Sequence, residues 1–316
     1  MKPTNLTKPG VLVPFQHGAS QRGWHALESW LLCPKEGQLK NVRKVRPRLT
    51  QPAEHFTVGG MLHTCRAQYL NDRRDGDLWR KALELYSAEL RARKTEVTQA
   101  MVRLVQDVFG VYVSYWRVRP TTTPLAVEYD LGLRGVSPNT PEWAYRTARL
   151  DSIEHHQGKA WIGEMKSTSH SQNRVTDMYA LHGQLLLQMA LWSDEETKLF
   201  GPLGGVLLDI VKKPDGTHQP KAYPRVAIAY ETVKFALDWF KKDLVTWQMQ
   251  IGMVDWNATV ERRPACMRTF GPCTYRDLCL SGERAGITFE YESSPGVFVS
   301  LDKWKPTKGK EVQPWK

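Results

Sequence analysis

The chain has 316 residues, of which 41% are hydrophobic and 24% charged, the proportions of a soluble globular protein with one large or two small domains. Lys and Arg number 44 against 33 for Asp and Glu, and the net charge of +11 favours a polyanionic partner such as nucleic acid. No apolar run reaches about 18 residues, so no transmembrane helix is expected; the start MKPTNLTKPG lacks the apolar stretch of a signal peptide, and five cysteines in such a chain speak for metal or redox chemistry rather than disulfides, so a cytoplasmic protein is expected.

Residues 1–20 are rich in Pro, Gly and polar side chains and read as an extended arm, which closes at about residue 23. Trp24, Leu27, Trp30 and Leu31 recur at helical spacing, so a short helix is expected to end near Cys33-Pro34. The basic run Lys40, Arg43, Lys44, Arg46 and Arg48 suits either a solvated face or phosphate contacts. Val58-Gly59-Gly60 reads as a glycine-rich turn into a helix that carries His63 near its start. A neutral imidazole there can complete a metal site or serve structure alone. Cys65 is expected to pack as a small hydrophobe.

Asp77 to Phe109 reads as one long helix, or as two with a break near Arg93-Lys94-Thr95. A strand is expected over Val111 to Val118, then a turn from Pro120 to Pro124 and a second strand over Leu125 to Gly132, whose Glu128 reads as structural.

Ala148 to Ser167 carries the densest chemistry. It reads as two short strands, ARLDSIE and AWIGEMK, joined at His156-Gln157-Gly158-Lys159, with Gly158 supplying the positive φ of a tight hairpin. A turn centred on Gln157-Gly158 sets Asp151 opposite Glu164, and strand alternation puts Lys166 on the face of Glu164. Like charges side by side on a sheet are destabilising unless something binds between them, and a divalent cation is the usual remedy. Hard oxygen ligands suit Mg²⁺ or Mn²⁺, and a neighbouring lysine orients water or stabilises charge developing on a phosphate. The expected chemistry is metal-assisted phosphodiester hydrolysis.

A polar loop follows over Ser167 to Asn173, then a helix from Val175 to Trp192 with Leu181, Leu185, Met189 and Trp192 on its buried stripe. Gln184 and Gln188 stand four residues apart on another face, so both can reach one site. Strands are expected at about Gly205 to Val211 and Arg225 to Tyr230, around a turn at Lys212 to Gly216, and a helix at Thr232 to Ile251. This order predicts an α/β fold, a central mixed sheet flanked by helices.

Cys266, Cys273 and Cys279 fall within fourteen residues of a loop-rich segment. Such spacing suits Zn²⁺ or an iron–sulfur cluster, each of which takes four ligands, and Cys33 is the candidate fourth. The tail from residue 283 to 316 reads as a partly disordered extension, in which Trp304 and Trp315 are placed to touch DNA or a partner.

Taken together, a Cys-Pro after an early helix, a His after glycines, an Asp, an E-x-K, a Gln-bearing helix and a late cysteine triplet occur in one order over residues 24–282. The pattern resembles the RecB-like branch of PD-(D/E)XK nucleases that carry an iron–sulfur staple, of the AddB and CRISPR-associated adaptation exonuclease type, with phage-encoded relatives. The resemblance implies a restriction-endonuclease-like core spanning residues 24–282, with a helical insertion at about 77–109. It implies a metal-dependent DNA nuclease, an exonuclease on single-stranded DNA or single-stranded ends; the alternative is a non-catalytic DNA-binding or assembly subunit that keeps the fold. His63, Asp151 and Glu164 would bind Mg²⁺ or Mn²⁺, Lys166 would act on the water or the phosphate, and Gln184 would match the Gln of the branch's Q-x-x-x-Y motif. Gln188 stands where that motif has Tyr. Cys33, Cys266, Cys273 and Cys279 would ligate a four-iron four-sulfur cluster, with Zn²⁺ as the alternative, tying the chain ends together. A recombination, repair or CRISPR-type protein is the implied partner.

Overall fold

The computed structural model describes residues 11–14, 23–37, 45–47, 54–73, 77–119, 121–132, 147–216, 218–253, 267–268, 271–272, 289–294 and 297–300. The chain divides into two compact units: Met1–Ser20, Gln51–Arg134 and Thr147–Thr246 form the first, and Gln21–Thr50, Gly135–Arg146 and Trp247–Lys316 the second.

In chain order the elements begin with α1 (Trp24–Leu32), α2 (Pro34–Gly37) and β1 (Val45–Pro47). Helices α3 (Glu54–Asn71), α4 (Leu78–Ala92) and α5 (Gln99–Arg117) precede strands β2 (Thr123–Gly132), β3 (Thr147–His156) and β4 (Lys159–Thr168). Next come α6 (Gln172–Ala180), α7 (Gly183–Ala190), α8 (Asp194–Phe200), β5 (Leu203–Lys212), β6 (Lys221–Ala222), β7 (Val226–Ala229) and α9 (Tyr230–Met253). Four short strands close the series: β8 (Met267–Arg268), β9 (Gly271–Pro272), β10 (Phe289–Ser294) and β11 (Val297–Ser300). No helix among the described residues is long and apolar enough to cross a membrane.

The first unit is built on a mixed sheet in the order β2-β3-β4-β5-β6, with β7 also pairing β5. Strands β2, β3 and β4 run antiparallel, while β4 and β5 are parallel. The expected α/β arrangement is therefore present. One face of the sheet, through Val127, Met165 and Val211, packs on α3, α4 and α5 in the main core. On the other face Val175 of α6 packs on Leu208 and Ile210 of β5. In the second unit β1 pairs with β10, which pairs with β11, so early and late parts of the chain share one sheet.

Several local expectations change. Val111 to Val118 is no strand, because α5 continues to Arg117: Phe109, Tyr112 and Trp116 extend its buried stripe at helical spacing, which overrides the local β-branched residues. Gly59-Gly60 is no turn either. Both lie inside α3, where a Cβ at Gly60 would sit 3.1 Å from the Tyr86 hydroxyl of α4, so glycine permits close helix packing. The helix expected from Val175 to Trp192 is broken at Leu181-His182; Leu181 is 61% exposed rather than buried. The arm is tied down at Val13, which is buried and donates its N–H to Gln68 Oε1 at 2.8 Å.

Beneath the sheet face covered by α3 lies a layer of buried charge. Arg66 of α3 donates to Ser152 Oγ at 3.1 Å, Glu154 Oε1 at 3.0 Å and Asp209 Oδ2 at 3.1 Å. Arg225 bonds Asp209 with Nε and Nη2, at 2.6 and 2.8 Å, and Glu154 at 3.0 Å, while Thr122 also donates to Glu154. Two guanidinium groups thus balance two carboxylates. Gly163 of β4 makes room for them: a Cβ there would collide with Ser152 Oγ and lie 2.5 Å from Glu154 Oε1 and 2.8 Å from Arg66 Nη2. Gly163→Ala is expected to destabilise the protein by about 3 kcal/mol through overpacking, measured by urea unfolding. A stability loss below about 0.5 kcal/mol, the size of a neutral surface change, would show that this layer yields.

Candidate active site

The β3–β4 hairpin forms as its two-residue loop requires, with Gln157 at φ 49° and Gly158 at φ 75°. Its register runs from His156↔Lys159 to Ser152↔Gly163, which leaves Asp151 opposite Glu164. The paired register ends there. Instead of a strand carbonyl, the Asp151 carboxylate takes the next N–H: Met165 N donates to Asp151 Oδ2 at 3.0 Å. Asp151 is thereby fixed at the point where β3 and β4 part.

From the middle of α3, His63 reaches the other oxygen, with Nδ1 3.0 Å from Asp151 Oδ1. Arg66, one helical turn on, lies 3.9 Å from Oδ2. Burial opposes the charge on Asp151, but His63 first, then Arg66 and Lys166, outweigh it and hold the carboxyl at about 2. Burial likewise opposes the imidazolium, yet the charge and hydrogen bond of Asp151, with Glu164 behind it, leave His63 above its ordinary value.

Glu164 is buried and meets three donors. Lys166 Nζ lies 2.6 Å from Oε1, Gln184 Nε2 donates to Oε1 at 3.0 Å, and Gln188 Nε2 to Oε2 at 3.1 Å. Lys166 also donates to Gln184 Oε1 at 3.3 Å and stands 5.0 Å from the centre of the Tyr179 ring of α6. Burial works against the ammonium, but Glu164, Tyr179 and Asp151 more than compensate, so its pKa is raised and it stays charged. The helix break matters here. His182 accepts the N–H of Gln184 at Nδ1, 3.2 Å away, and starts α7 where both glutamines face Glu164.

Of the residues predicted from sequence, the structure brings His63 to Asp151 and Lys166, Gln184 and Gln188 to Glu164. Cys33 caps the end of α1 with a free, buried thiol, whereas Cys266, Cys273 and Cys279 lie outside the described residues, so the four-cysteine site is not on view. The tail with Trp304 and Trp315, and nearly all of the basic run, also lie outside them. Cys65 is fully buried within α3, and burial pushes its thiol upward, as a packing residue requires.

Two neighbours escape sequence reasoning. Val127↔Ser152 and Tyr129↔Leu150 place Glu128 opposite Asp151, in a left-handed conformation with φ 48°, and burial followed by the charge of Asp151 pushes its carboxyl up to about 7. The residues between β2 and β3 are too many to fix that register in advance. Arg66 is hidden for another reason: nothing in the sequence distinguishes a fully buried arginine from a surface one.

Two carboxylates and an imidazole are donors that Mg²⁺ and Mn²⁺ accept, and Asp151 is kept anionic, so the residues fit a hard divalent cation. Among the described residues, no three His, Cys, Asp or Glu side chains are already gathered as a closed metal cage. His63 is engaged with Asp151, and Glu164 with Lys166 and the two amides.

Residues 24–280 match the profile of the family described as the PD-(D/E)XK nuclease superfamily. No curated protein matches the chain. Among solved structures, that of a candidate exonuclease from Eubacterium rectale aligns over 77% of this chain and 91% of its own, at 10% identity and a TM-score of 0.42. At that distance nothing is carried from it to this chain.

Proposed function

The chain belongs to the PD-(D/E)XK nuclease superfamily, and we propose that it hydrolyses DNA phosphodiester bonds with Mg²⁺ or Mn²⁺, as an exonuclease acting on single-stranded ends. The observation that carries this reading is the charged Lys166, seated between the Glu164 carboxylate and the Tyr179 ring on the strand next to the Asp151–His63 pair. His63, Asp151 and Glu164 would hold the cation. When bound, it supplies Lewis-acid polarisation of the phosphate and a lowered pKa for the attacking water. Lys166, kept protonated, acts as a donor to a non-bridging phosphate oxygen rather than as a base. Asp151 stays ionised through the neutral range and fixes the His63 ring.

The four-cysteine cluster belongs to the same reading. Cys33 falls in the second unit, whose segments 21–50 and 247–316 carry all four cysteines. A four-iron four-sulfur cluster on Cys33, Cys266, Cys273 and Cys279 would close a very long loop and support the fold rather than the reaction. The same reading sets the protein in the cytoplasm, alongside recombination, repair or CRISPR-type proteins.

The test uses anaerobically purified full-length protein and end-labelled single- and double-stranded DNA, with Mg²⁺ or Mn²⁺ and with EDTA. The expected result is stepwise shortening from single-stranded ends that EDTA abolishes, in a protein holding four irons per chain. DNA binding without cleavage under any metal would replace the nuclease by a scaffold subunit. One zinc and no iron would replace the cluster alone.

A further inference from the structure

Resting on the nuclease reading, we propose that Gln188 is a positioning residue of the metal site: its amide N–H fixes the Glu164 carboxylate in the orientation from which it binds the cation. Gln188 is 1% exposed and Glu164 equally enclosed, so their contact is made away from water. The orientation of the amide follows from chemistry. An ionised carboxylate only accepts, so the nitrogen of Gln188 must face Glu164 Oε2, 3.1 Å away.

The division of labour among the three donors is uneven. Oε1 accepts from both Lys166 and Gln184, whereas among the described residues Oε2 accepts from Gln188 alone. Lys166 is the donor that the reaction calls away towards phosphate, and Gln184 is itself bonded to Lys166 at 3.3 Å. When Lys166 shifts, the hold on Oε1 loosens, and Gln188 remains as the independent anchor. A carboxylate has about four acceptor positions, so Oε2 keeps one free for a cation while the other is tied to α7. The helix supplies the rigidity: α7 is anchored by buried Leu185, Leu186, Leu187 and Met189, and Gln188 is carried on it. Among the described residues the only hydrogen bond of the Gln188 side chain is the one its N–H makes to Glu164.

Partners of metal ligands at this remove typically change affinity by about 10- to 100-fold. The experiment is calorimetric titration of Mn²⁺ into full-length wild type, Gln188→Met and Gln188→Glu between pH 5.5 and 8, with thermal unfolding of each. Gln188→Met keeps the shape and removes the donor; it should weaken Mn²⁺ binding by about 10- to 100-fold at every pH. Gln188→Glu is the more specific probe. Its introduced carboxyl repels Glu164 when ionised but donates an O–H to it when protonated, so its Mn²⁺ affinity should recover relative to wild type as the pH falls. A purely structural glutamine would lower the melting temperature and leave Mn²⁺ affinity and its pH profile unchanged, and that result overturns the proposal. Should Gln188→Met fail to fold, the pH profile of Gln188→Glu decides alone. If wild type binds no Mn²⁺, the metal-dependent reading itself falls first, and this inference with it.

Discussion

Lys166→Ala and Glu164→Ala should each lower Mn²⁺-supported DNA cleavage by about 10³-fold, with most of the loss in kcat. The two substitutions remove different things. Without Lys166 the phosphate loses the ammonium that β4 presents beside Glu164, and a donor that acts as charge develops is worth more in the transition state than in the bound substrate. Under the proposed roles, the cation would lose a carboxylate without Glu164, and Gln184, Gln188 and Lys166 lose the acceptor around which they converge. Raising Mn²⁺ should therefore restore part of the Glu164→Ala activity and none of the Lys166→Ala activity. Initial rates on an end-labelled oligonucleotide over a range of Mn²⁺ concentrations separate the two. Near-wild-type turnover in Lys166→Ala would remove this lysine from the chemistry.

The largest effect on stability is expected at Glu154. Glu154→Ala should cost about 3–5 kcal/mol, because it leaves Arg66 and Arg225 buried with half of their counter-charge gone. Asp209, the carboxylate that both still share, cannot neutralise the two, and Asp151 stands farther from Arg66, at 3.9 Å. The same residue sets an acid limit. Burial opposes the Glu154 carboxylate, but Arg225, then Arg66 and the Thr122 hydroxyl, outweigh it and hold it at about 2 against an ordinary 4.5. A depressed carboxyl stabilises the folded state above its unfolded value and loses that contribution as protons bind. Stability worth about 3 kcal/mol is thus complete above pH 4.5 and vanishes as the pH falls towards 2. Urea unfolding at pH 7, 4 and 3 checks this. Glu154→Gln should be less stable at neutral pH, yet lose less on acidification; an unchanged acid slope would show that other carboxyls set the limit.

The hairpin was the most legible part of the chain, since a two-residue loop fixes register and register fixes which side chains meet. Asp151 opposite Glu164 and Lys166 beside it follow from that alone. His63 could be named from its motif, but its contact with Asp151 depends on how α3 lies on the sheet, a packing outcome with no local signature. Glu128 reads as structural from its strand alone, and its place opposite Asp151 depends on the β2–β3 register. The ionic layer of Arg66, Glu154, Asp209 and Arg225 was invisible, because each charge sits in a different element and looks solvated in its own window. Errors of element type arise where short-range pattern and packing disagree: the β-branched and aromatic residues of 111–118 look like a strand, and Gly59-Gly60 look like a turn, yet 111–117 and both glycines lie in helices fixed by tertiary contacts.

His63 and Arg66 are one turn apart on the same helix, one joined to Asp151 and the other locked into the buried charges. The two walls around the hairpin are therefore unequal in their freedom to change. Any adjustment of α3 that suits a new substrate also misplaces a guanidinium that water cannot reach, so this wall resists remodelling. The opposite wall is made of short helices joined at Leu181-His182, with Met178 54% and Leu181 61% exposed. Variation in what the protein accepts has its open route there, at the exposed positions of α6 and of its junction with α7, and libraries aimed at altered selectivity belong on those positions.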